Sequence, residues 1–243
     1  MPESLTLKQA QFNAALERYQ RVWAYRWTGK VVSCANIALQ ATLVALAAPQ
    51  NIGLFRQLCT IAVAYFLADF VNGWVHLYMD NSEDYGPITG PFFAAFHLHH
   101  RTPRYRQRPV IVVYFNESGS KLWLVFVQLL LALGIWRGWL TREAAWGALY
   151  FSVLSSVAEV SHYLCHVRPT KTGRFLAWLG LLMSKRHHLR HHREDNVQYA
   201  FLNGMSDPLL NLIAKRFYPG YKTTTDTHYA NYRGANTLNR AAS

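Results

Sequence analysis

Residues 57–79 read QLCTIAVAYFLADFVNGWVHLYM, and Asp69 is the one charged residue among them. A helix of roughly 20 mostly apolar residues can cross the hydrocarbon core of a bilayer. The stretch therefore predicts a transmembrane helix. Three other runs have the same character and are further candidate spans: residues 31–48, 122–136 and 144–165. The last is as long as a full span, and the other two are marginal.

Lysine and arginine alternate in number along these four runs. Five precede residue 31, one lies in the connection at 49–56, five lie between residues 80 and 121, two lie in the next connection, and twelve follow the last run. Positively charged connections stay on the cytoplasmic side of a membrane. We therefore predict an all-α, polytopic membrane protein of about four transmembrane helices. Polar residues interrupt three of the four runs, so buried helices of a soluble bundle are the alternative.

The charge pattern also predicts orientation and partners. Both termini fall on the cytoplasmic side, in the endoplasmic reticulum or a bacterial inner membrane. The formal net charge of +12 suits a bilayer that contains anionic lipids. No recognised nucleic-acid-binding motif is present, and the positive connections already explain the excess charge. We predict the membrane bilayer, and not nucleic acid, as a partner.

The polar ends of the chain enclose a membrane domain. We predict an amphipathic N-terminal segment over residues 1–30, the membrane domain over 31–218, and a polar C-terminal tail over 219–243. Inside the domain, residues 91–100 predict an interfacial helix bounded by glycine and proline. Residues 175–193 predict one continuous helix.

Histidine is distributed unevenly. Ten of the eleven histidines fall in four clusters within or just beyond the apolar runs: His76; His97, His99 and His100; His162 and His166; and His187, His188, His191 and His192. The eleventh, His228, lies in the polar tail. Neutral imidazole is a nitrogen ligand for transition metals, and one ion needs about three to six donors. The clusters therefore predict a site for two metal ions at the cytoplasmic edge of the membrane.

Helical spacing places several of these side chains on common faces. His162 and His166 are four residues apart, so they lie one above the other and can bind one ion, with Glu159 one turn earlier. The pairs His187 with His191 and His188 with His192 have the same spacing, and they are offset by about 100° around a helix. Such a strip can face two metals at once. A basic surface helix is the alternative, since lysine and arginine are interleaved.

The remaining candidates surround these pairs. Asp69, His76 and Asp80 share one face at the end of the second predicted span, where an ionisable side chain is costly and usually functional. His99 and His100 are adjacent, so one can serve each metal. For His97, the sequence favours neither a role as a metal ligand nor another role. Asp69, Asp80 and Glu159 are predicted to orient the ligands.

The number of imidazoles narrows the chemistry. Zinc usually takes three or four ligands. Eight or more imidazoles fit two irons that activate O2 and break an unactivated C–H bond. Haem would need single histidines facing each other inside the spans, not doublets at their ends.

Six motifs occur in order along the chain: DFVNGWVHLYMD (Asp69–Asp80), GPITG (Gly86–Gly90), HHRTP (His99–Pro103), SHYLCH (Ser161–His166), KRHHLRHH (Lys185–His192) and YAFLNG (Tyr199–Gly204). Together they resemble the plasmanylethanolamine desaturase family, the membrane enzymes that make the vinyl ether of plasmalogens. The broader family includes plant desaturases that act on an acyl chain of phosphatidylglycerol. The resemblance spans about residues 60–215.

The resemblance implies a multi-pass lipid desaturase with two iron ions (Fe2+), O2 as co-substrate, and an external electron donor of the cytochrome b5 or ferredoxin type. It implies a phospholipid or ether-lipid substrate, most closely a plasmanyl ether lipid. The family's histidine positions are matched by His76, His99, His100, His162, His166, His187, His188, His191 and His192. Asp69 and Asp80 match the aspartates that flank the first of them.

The chain departs from the family at one position. The ether-lipid enzymes carry a further histidine shortly beyond the HH-x-x-P motif, where this chain has Arg108 and Pro109. His97 is a candidate to compensate. The departure bears on the ether-lipid substrate more than on the metal chemistry.

Three functions are compatible with these residues. The leading one is a lipid desaturase, in which an oxidised di-iron centre abstracts hydrogen and removal of the neighbouring hydrogen leaves a C=C bond. The first alternative is a di-iron lipid or fatty-acyl hydroxylase. The second is a membrane haem- or metal-binding protein without catalysis.

Overall fold

The computed structural model describes residues 3–101, 105–194 and 196–218, and every regular element in these ranges is helical. The elements are α1 (Glu3–Arg21), α2 (Trp23–Ala47), α3 (Leu54–Asn81), α4 (Gly90–Arg101), α5 (Val110–Glu117), a 3-10 turn (Ser118–Ser120), α6 (Leu122–Trp136), α7 (Arg142–His166), α8 (Lys171–Trp178), α9 (Lys185–His191) and α10 (Asp207–Phe217). The all-α prediction is confirmed for these residues. The predicted tail, with His228, lies outside them.

Helices α3 and α7 form the central pair of the fold. Small residues line their contact, including Ala68 on α3 and Ser155 and Ala158 on α7, all fully buried. Small side chains allow two helices to approach closely without a hydrophobic driving force. The amide of Asn72 links the pair by donating a hydrogen bond to the Ser155 hydroxyl at 3.1 Å.

Helices α2 and α6 pack beside this pair. Their shared core contains Leu43 and Ala47 from α2, Ile135 from α6 and Leu149 from α7. Polar side chains also join α2 to α7, because Gln40 on α2 donates a hydrogen bond to the Ser156 hydroxyl on α7 at 2.9 Å. A buried amide needs such a partner to offset its desolvation.

Among the residues that the structure describes, two helices are long and apolar enough to cross a membrane, namely α2 and α3. A third crossing is formed if the segments Val110–Ser120 and Leu122–Trp136, which meet at 88°, make one bent span. Apolar side chains on α3 such as Leu58 and Val63 are more than half exposed, as lipid-facing residues are. The chain is a membrane protein by these features, and the count of four spans stays a prediction.

The N-terminal segment divides between two helices. Val22 has an extended backbone, so α1 ends at Arg21 and α2 begins at Trp23. Phe12 and Leu16 of α1 are buried against Tyr85 and Ala94, which lie before and within α4. Helix α4 confirms the helix predicted over residues 91–100, with one more residue at each end, and α1 covers it.

The expectation of one continuous helix over 175–193 is wrong. The chain forms α8, leaves the helix at Gly180 with φ of +72°, and begins α9 after Ser184. Glycine adopts a positive φ without the steric cost of a Cβ atom. The Ser184 side chain then accepts a hydrogen bond from the backbone N–H of His187 and caps α9. The break turns α9 back toward α7.

Candidate metal centre

Eight side chains from four helices converge on two groups of potential ligand atoms. In each group the ligand atoms all lie within 4.8 Å of one another. We call the first the α7 group, which comprises His99, His162, His166 and His188. We call the second the Asp80 group, which comprises His76, Asp80, His100 and His191.

The α7 group brings Nε2 atoms into mutual contact. The Nε2 atoms of His99, His162 and His166 form a triangle with sides of 3.0–3.1 Å. His188 Nε2 lies 2.8 Å from that of His166. Each Nε2 of a neutral ring either donates or accepts, so at least two atoms of any triangle have the same role. Hydrogen bonds alone cannot stabilise this arrangement, and a shared cation would.

The spacing of these nitrogens fits metal ligands. Imidazole nitrogens at about 2.1 Å from one ion, at right angles to each other, are about 3.0 Å apart. The observed separations match this value. Burial and neighbouring imidazoles lower the pKa of His99 and of His188 well below the usual range. Both rings are therefore neutral at physiological pH, and a neutral ring keeps the lone pair that a metal needs.

In the Asp80 group, imidazoles surround a buried carboxylate. The Nε2 atoms of His76, His100 and His191 lie 3.1–3.3 Å from the Asp80 oxygens. His76 Nδ1 is 2.7 Å from the carbonyl oxygen of Tyr199, and His191 Nδ1 is 2.9 Å from that of Val197.

These carbonyl contacts decide the tautomers of two rings. A carbonyl oxygen can only accept, so Nδ1 of His76 and of His191 carries the hydrogen. When these rings are neutral, their Nε2 lone pairs point at the Asp80 carboxylate. Such a contact is repulsive by itself, and a cation between the atoms would make it attractive. This is also the usual support for a metal-binding histidine, whose other nitrogen donates to a fixed acceptor.

His192 lies between the two groups. Its Nε2 atom is 3.0 Å from that of His188, and its ring centroid is 4.9 Å from that of His100. Helix α9 therefore directs His188 toward the first group and His191 toward the second, and His192, directly after the helix, lies near both. The adjacent residues His99 and His100 of α4 divide in the same way, as the sequence predicts for neighbours on a helix.

The structure does not bring His187 into either group. Its Nε2 atom lies 2.5 Å from Oδ2 of Asp207, and its side chain is 27 % exposed. The other Asp207 oxygen accepts the backbone N–H of Ala200 at 2.9 Å. His187 thus fastens α9 to the start of α10, through a partner twenty residues away.

Replacing His187 by Ala is therefore expected to leave the metal content unchanged and to lower turnover by no more than about tenfold, the lower end of the range for a residue that only supports ligands. The matched change is His188→Ala, one residue along. Metal analysis of the two purified variants checks the difference. A loss of bound metal in the His187 variant would show that this residue is a ligand after all.

The two nitrogens of His97 both have other partners. Nε2 is 2.7 Å from the carbonyl oxygen of Met79, and Nδ1 is 2.8 Å from the hydroxyl of Tyr85. Nε2 therefore donates and Nδ1 accepts, and the buried ring joins α4 to the end of α3. This geometry assigns His97 a structural contact.

Asp69 is fully buried and accepts five hydrogen bonds from residues 202–206. One oxygen accepts the N–H groups of Leu202, Asn203 and Gly204, and the other accepts the N–H and hydroxyl of Ser206. Phe201 directly precedes the segment held in this way. The Phe201 ring stacks on His162 at 4.4 Å and contacts His76 at 4.3 Å, so it covers both groups.

Lys121 is a buried cation that sequence reasoning missed. Its Nζ atom lies 2.8 Å from Oε1 of Glu159 and also bonds to the Asn72 side chain. The other Glu159 oxygen is 3.9 Å from His162 Nδ1. Lys121 precedes the apolar run of α6 and reads there as an ordinary membrane-interface lysine, so no local signal distinguishes it. The Lys121 ammonium therefore balances the charge of the Glu159 carboxylate, which lies beside the candidate ligand His162.

The change Lys121→Met is expected to lower the free energy of unfolding by about 3 kcal/mol, because it leaves the Glu159 carboxylate buried without its partner. The double change with Glu159→Gln should recover most of this loss. Denaturant titration of the purified variants measures both. Equal stability of the single and double variants would contradict the coupling.

One of three comparisons with known proteins gives a match, and that match includes this site. Searches of characterised proteins and of solved structures give no significant match. The lipid desaturase domain family matches residues 65–219, which is more than half of the chain and includes every member of both groups. This match supports a lipid-desaturating oxidoreductase that acts on lipids in a membrane. The chain belongs to the lipid desaturase domain family.

Proposed function

We propose that the protein is an integral membrane lipid desaturase that introduces a C=C bond into an alkyl or acyl chain of a phospholipid, with a plasmanyl ether lipid as the leading substrate. The observation that carries the proposal is the convergence of eight donor side chains from α3, α4, α7 and α9 on two adjacent groups. Family membership supplies the reaction class. The orientation, with the site and both termini on the cytoplasmic side, is part of the same proposal.

The donor set favours two iron ions. The two groups offer seven imidazoles and one carboxylate, and His192 beside them is a ninth donor, one more than two four-coordinate zinc ions take. The α7 group would hold one ion and the Asp80 group the other. Iron supplies the O2 activation and the one-electron chemistry that cleavage of an unactivated C–H bond requires.

The reaction balances with two electrons from outside the protein, delivered one at a time by two reduced carrier molecules. A CH2–CH2 unit, O2, two electrons and two protons give CH=CH and two waters. The substrate loses two hydrogens, and O2 is reduced. The electrons would come from an external protein of the cytochrome b5 or ferredoxin type.

The side chains of this protein would fix geometry and exclude water. The carbonyl groups of Tyr199 and Val197 hold two imidazoles in the tautomer that directs Nε2 inward. Phe201 covers both groups with an apolar ring, and Tyr105 stacks on His166 with centroids 5.5 Å apart. Such positioning decides which C–H bond lies within reach.

Lipid mass spectrometry tests the proposal in a host that lacks its own desaturases. Cells that express the chain should accumulate a phospholipid lighter by two hydrogens, and cells that express His188→Ala should not. Acid treatment then identifies the product, because it cleaves a vinyl ether and leaves an acyl double bond intact. A gain of one oxygen would assign a hydroxylase, and an unchanged lipid profile with a haem spectrum would contradict the enzyme.

A further inference from the structure

A cleft opens beside the α7 group, between the end of α7, helix α8 and the start of α9. Its volume is about 360 Å³. The lining residues are Leu164, Pro169, Gly173, Arg174, Ala177, Trp178, Leu182, Met183, Ser184 and Lys185. Sequence reasoning placed no site here, and it expected one unbroken helix over residues 175–193, where more than half of the lining residues lie.

The walls of the cleft have two characters. Leu164, Leu182 and Met183 give it an apolar floor. Arg174 and Lys185 are exposed at its edge. Neither cation forms an ion pair with a carboxylate within residues 3–101, 105–194 and 196–218. Two cations above an apolar surface complement a ligand that joins an anionic group to a hydrocarbon chain.

The position of the cleft relative to the bilayer supports such a ligand. Phe175 and Trp178 of α8 are 56 % and 77 % exposed, and Leu179 and Leu181 beside them are about half exposed. Aromatic and basic residues together are typical of the level of the lipid headgroups. Helix α8 therefore places the mouth of the cleft where phosphates of the bilayer lie.

The cleft also lies close to the metal centre along the chain. Leu164 lies on α7 two residues before His166, and Lys185 begins α9 three residues before His188. A lipid held here would have its polar end beside the α7 group.

We propose that this cleft binds the phosphate and glycerol of a glycerophospholipid substrate, with Arg174 and Lys185 contacting the phosphate oxygens and the apolar floor contacting the first methylenes of a chain. The assignment rests on the proposed function, because it makes the bound lipid the substrate. The volume suits a headgroup and glycerol, and not a whole lipid. The chain must therefore continue out of the cleft.

The test measures lipid binding to the purified full-length protein in detergent. Dioctanoyl phosphatidic acid is titrated while tryptophan fluorescence is followed, and the Trp178→Phe variant identifies the signal from the cleft. Dioctanoylglycerol, which lacks only the phosphate, is the matched ligand. The double variant R174Q/K185Q should bind phosphatidic acid at least about tenfold more weakly and should keep the metal content of the parent protein. The double variant K215Q/R216Q, which removes an exposed lysine and arginine from α10, is the matched control and should bind as the parent does.

Three results would overturn the proposal. The first is equal binding of the two ligands, and the second is equal weakening in the two double variants. The third is unchanged lipid binding in R174Q/K185Q with slower reduction by an acidic electron-transfer protein, which would make the cleft a docking site for that protein.

Turnover separates this proposal from the proposed function. R174Q/K185Q should raise KM for the lipid while kcat at saturation stays within about twofold, because the change removes ground-state binding. If phosphatidic acid binds as expected and no desaturated lipid is formed, the desaturase proposal fails and the lipid site stands. If desaturation occurs and R174Q/K185Q binds lipid as the parent does, the cleft proposal alone fails.

Discussion

Replacing His188 by Ala is expected to reduce the metal content from two ions to at most one and to lower turnover by more than about 100-fold, the upper range for residues that only support ligands. His188 is fully buried, and its Nε2 atom lies 2.8 Å from that of His166 and 3.0 Å from that of His192. An alanine there removes a donor from the centre of the α7 group.

The change His191→Ala is the counterpart for the Asp80 group, since it lies one turn along the same helix. It should also leave at most one ion, while the other group remains intact. Metal analysis and single-turnover assays measure both effects. His228→Ala, in the predicted tail, is the control and should keep two ions and full activity. Two retained ions in either buried variant would remove that histidine from the ligand set.

Asp69→Ala is expected to lower the free energy of unfolding by more than about 4 kcal/mol, at the upper end of single substitutions. The change leaves buried donors of residues 202–206 without their acceptor. Each unsatisfied buried donor costs about 1–3 kcal/mol. Phe201 precedes these donors and covers both metal groups, so the variant should also lose metal.

Two controls sharpen the Asp69 experiment. Asp69→Asn keeps one acceptor oxygen and should be intermediate in stability. Asp84→Ala removes an exposed aspartate and should change the free energy of unfolding by less than about 0.5 kcal/mol. Thermal or denaturant unfolding measures all three. A stable Asp69→Ala variant without activity would instead indicate a direct role of this carboxylate in the reaction.

Local spacing predicts those parts of the site whose partners lie on the same helix. His162 and His166 share one group, as their i, i+4 relation on α7 requires. His99 and His100 divide between groups because adjacent residues on a helix point about 100° apart. These are properties of a single helix, so one sequence contains them.

The roles of the other site residues depend on contacts with residues far away in the sequence. His187 and His191 have the same i, i+4 spacing, yet Asp207 of α10 binds the first and Asp80 of α3 lies beside the second. Asp69 has the position expected of a residue that orients ligands, and its partners lie 133 or more residues away. No periodicity encodes those contacts. The break at Gly180 could have been predicted from the sequence, because a glycine after an apolar run is a common end of a helix.

Helices α4 and α9 each supply donors to both groups, and α9 is only seven residues long. A helix this short is unstable by itself. The first ion to bind would order both helices and so place the remaining donors for the second. Uptake should therefore be cooperative, and a limiting supply of the metal should divide the protein into empty and fully loaded molecules.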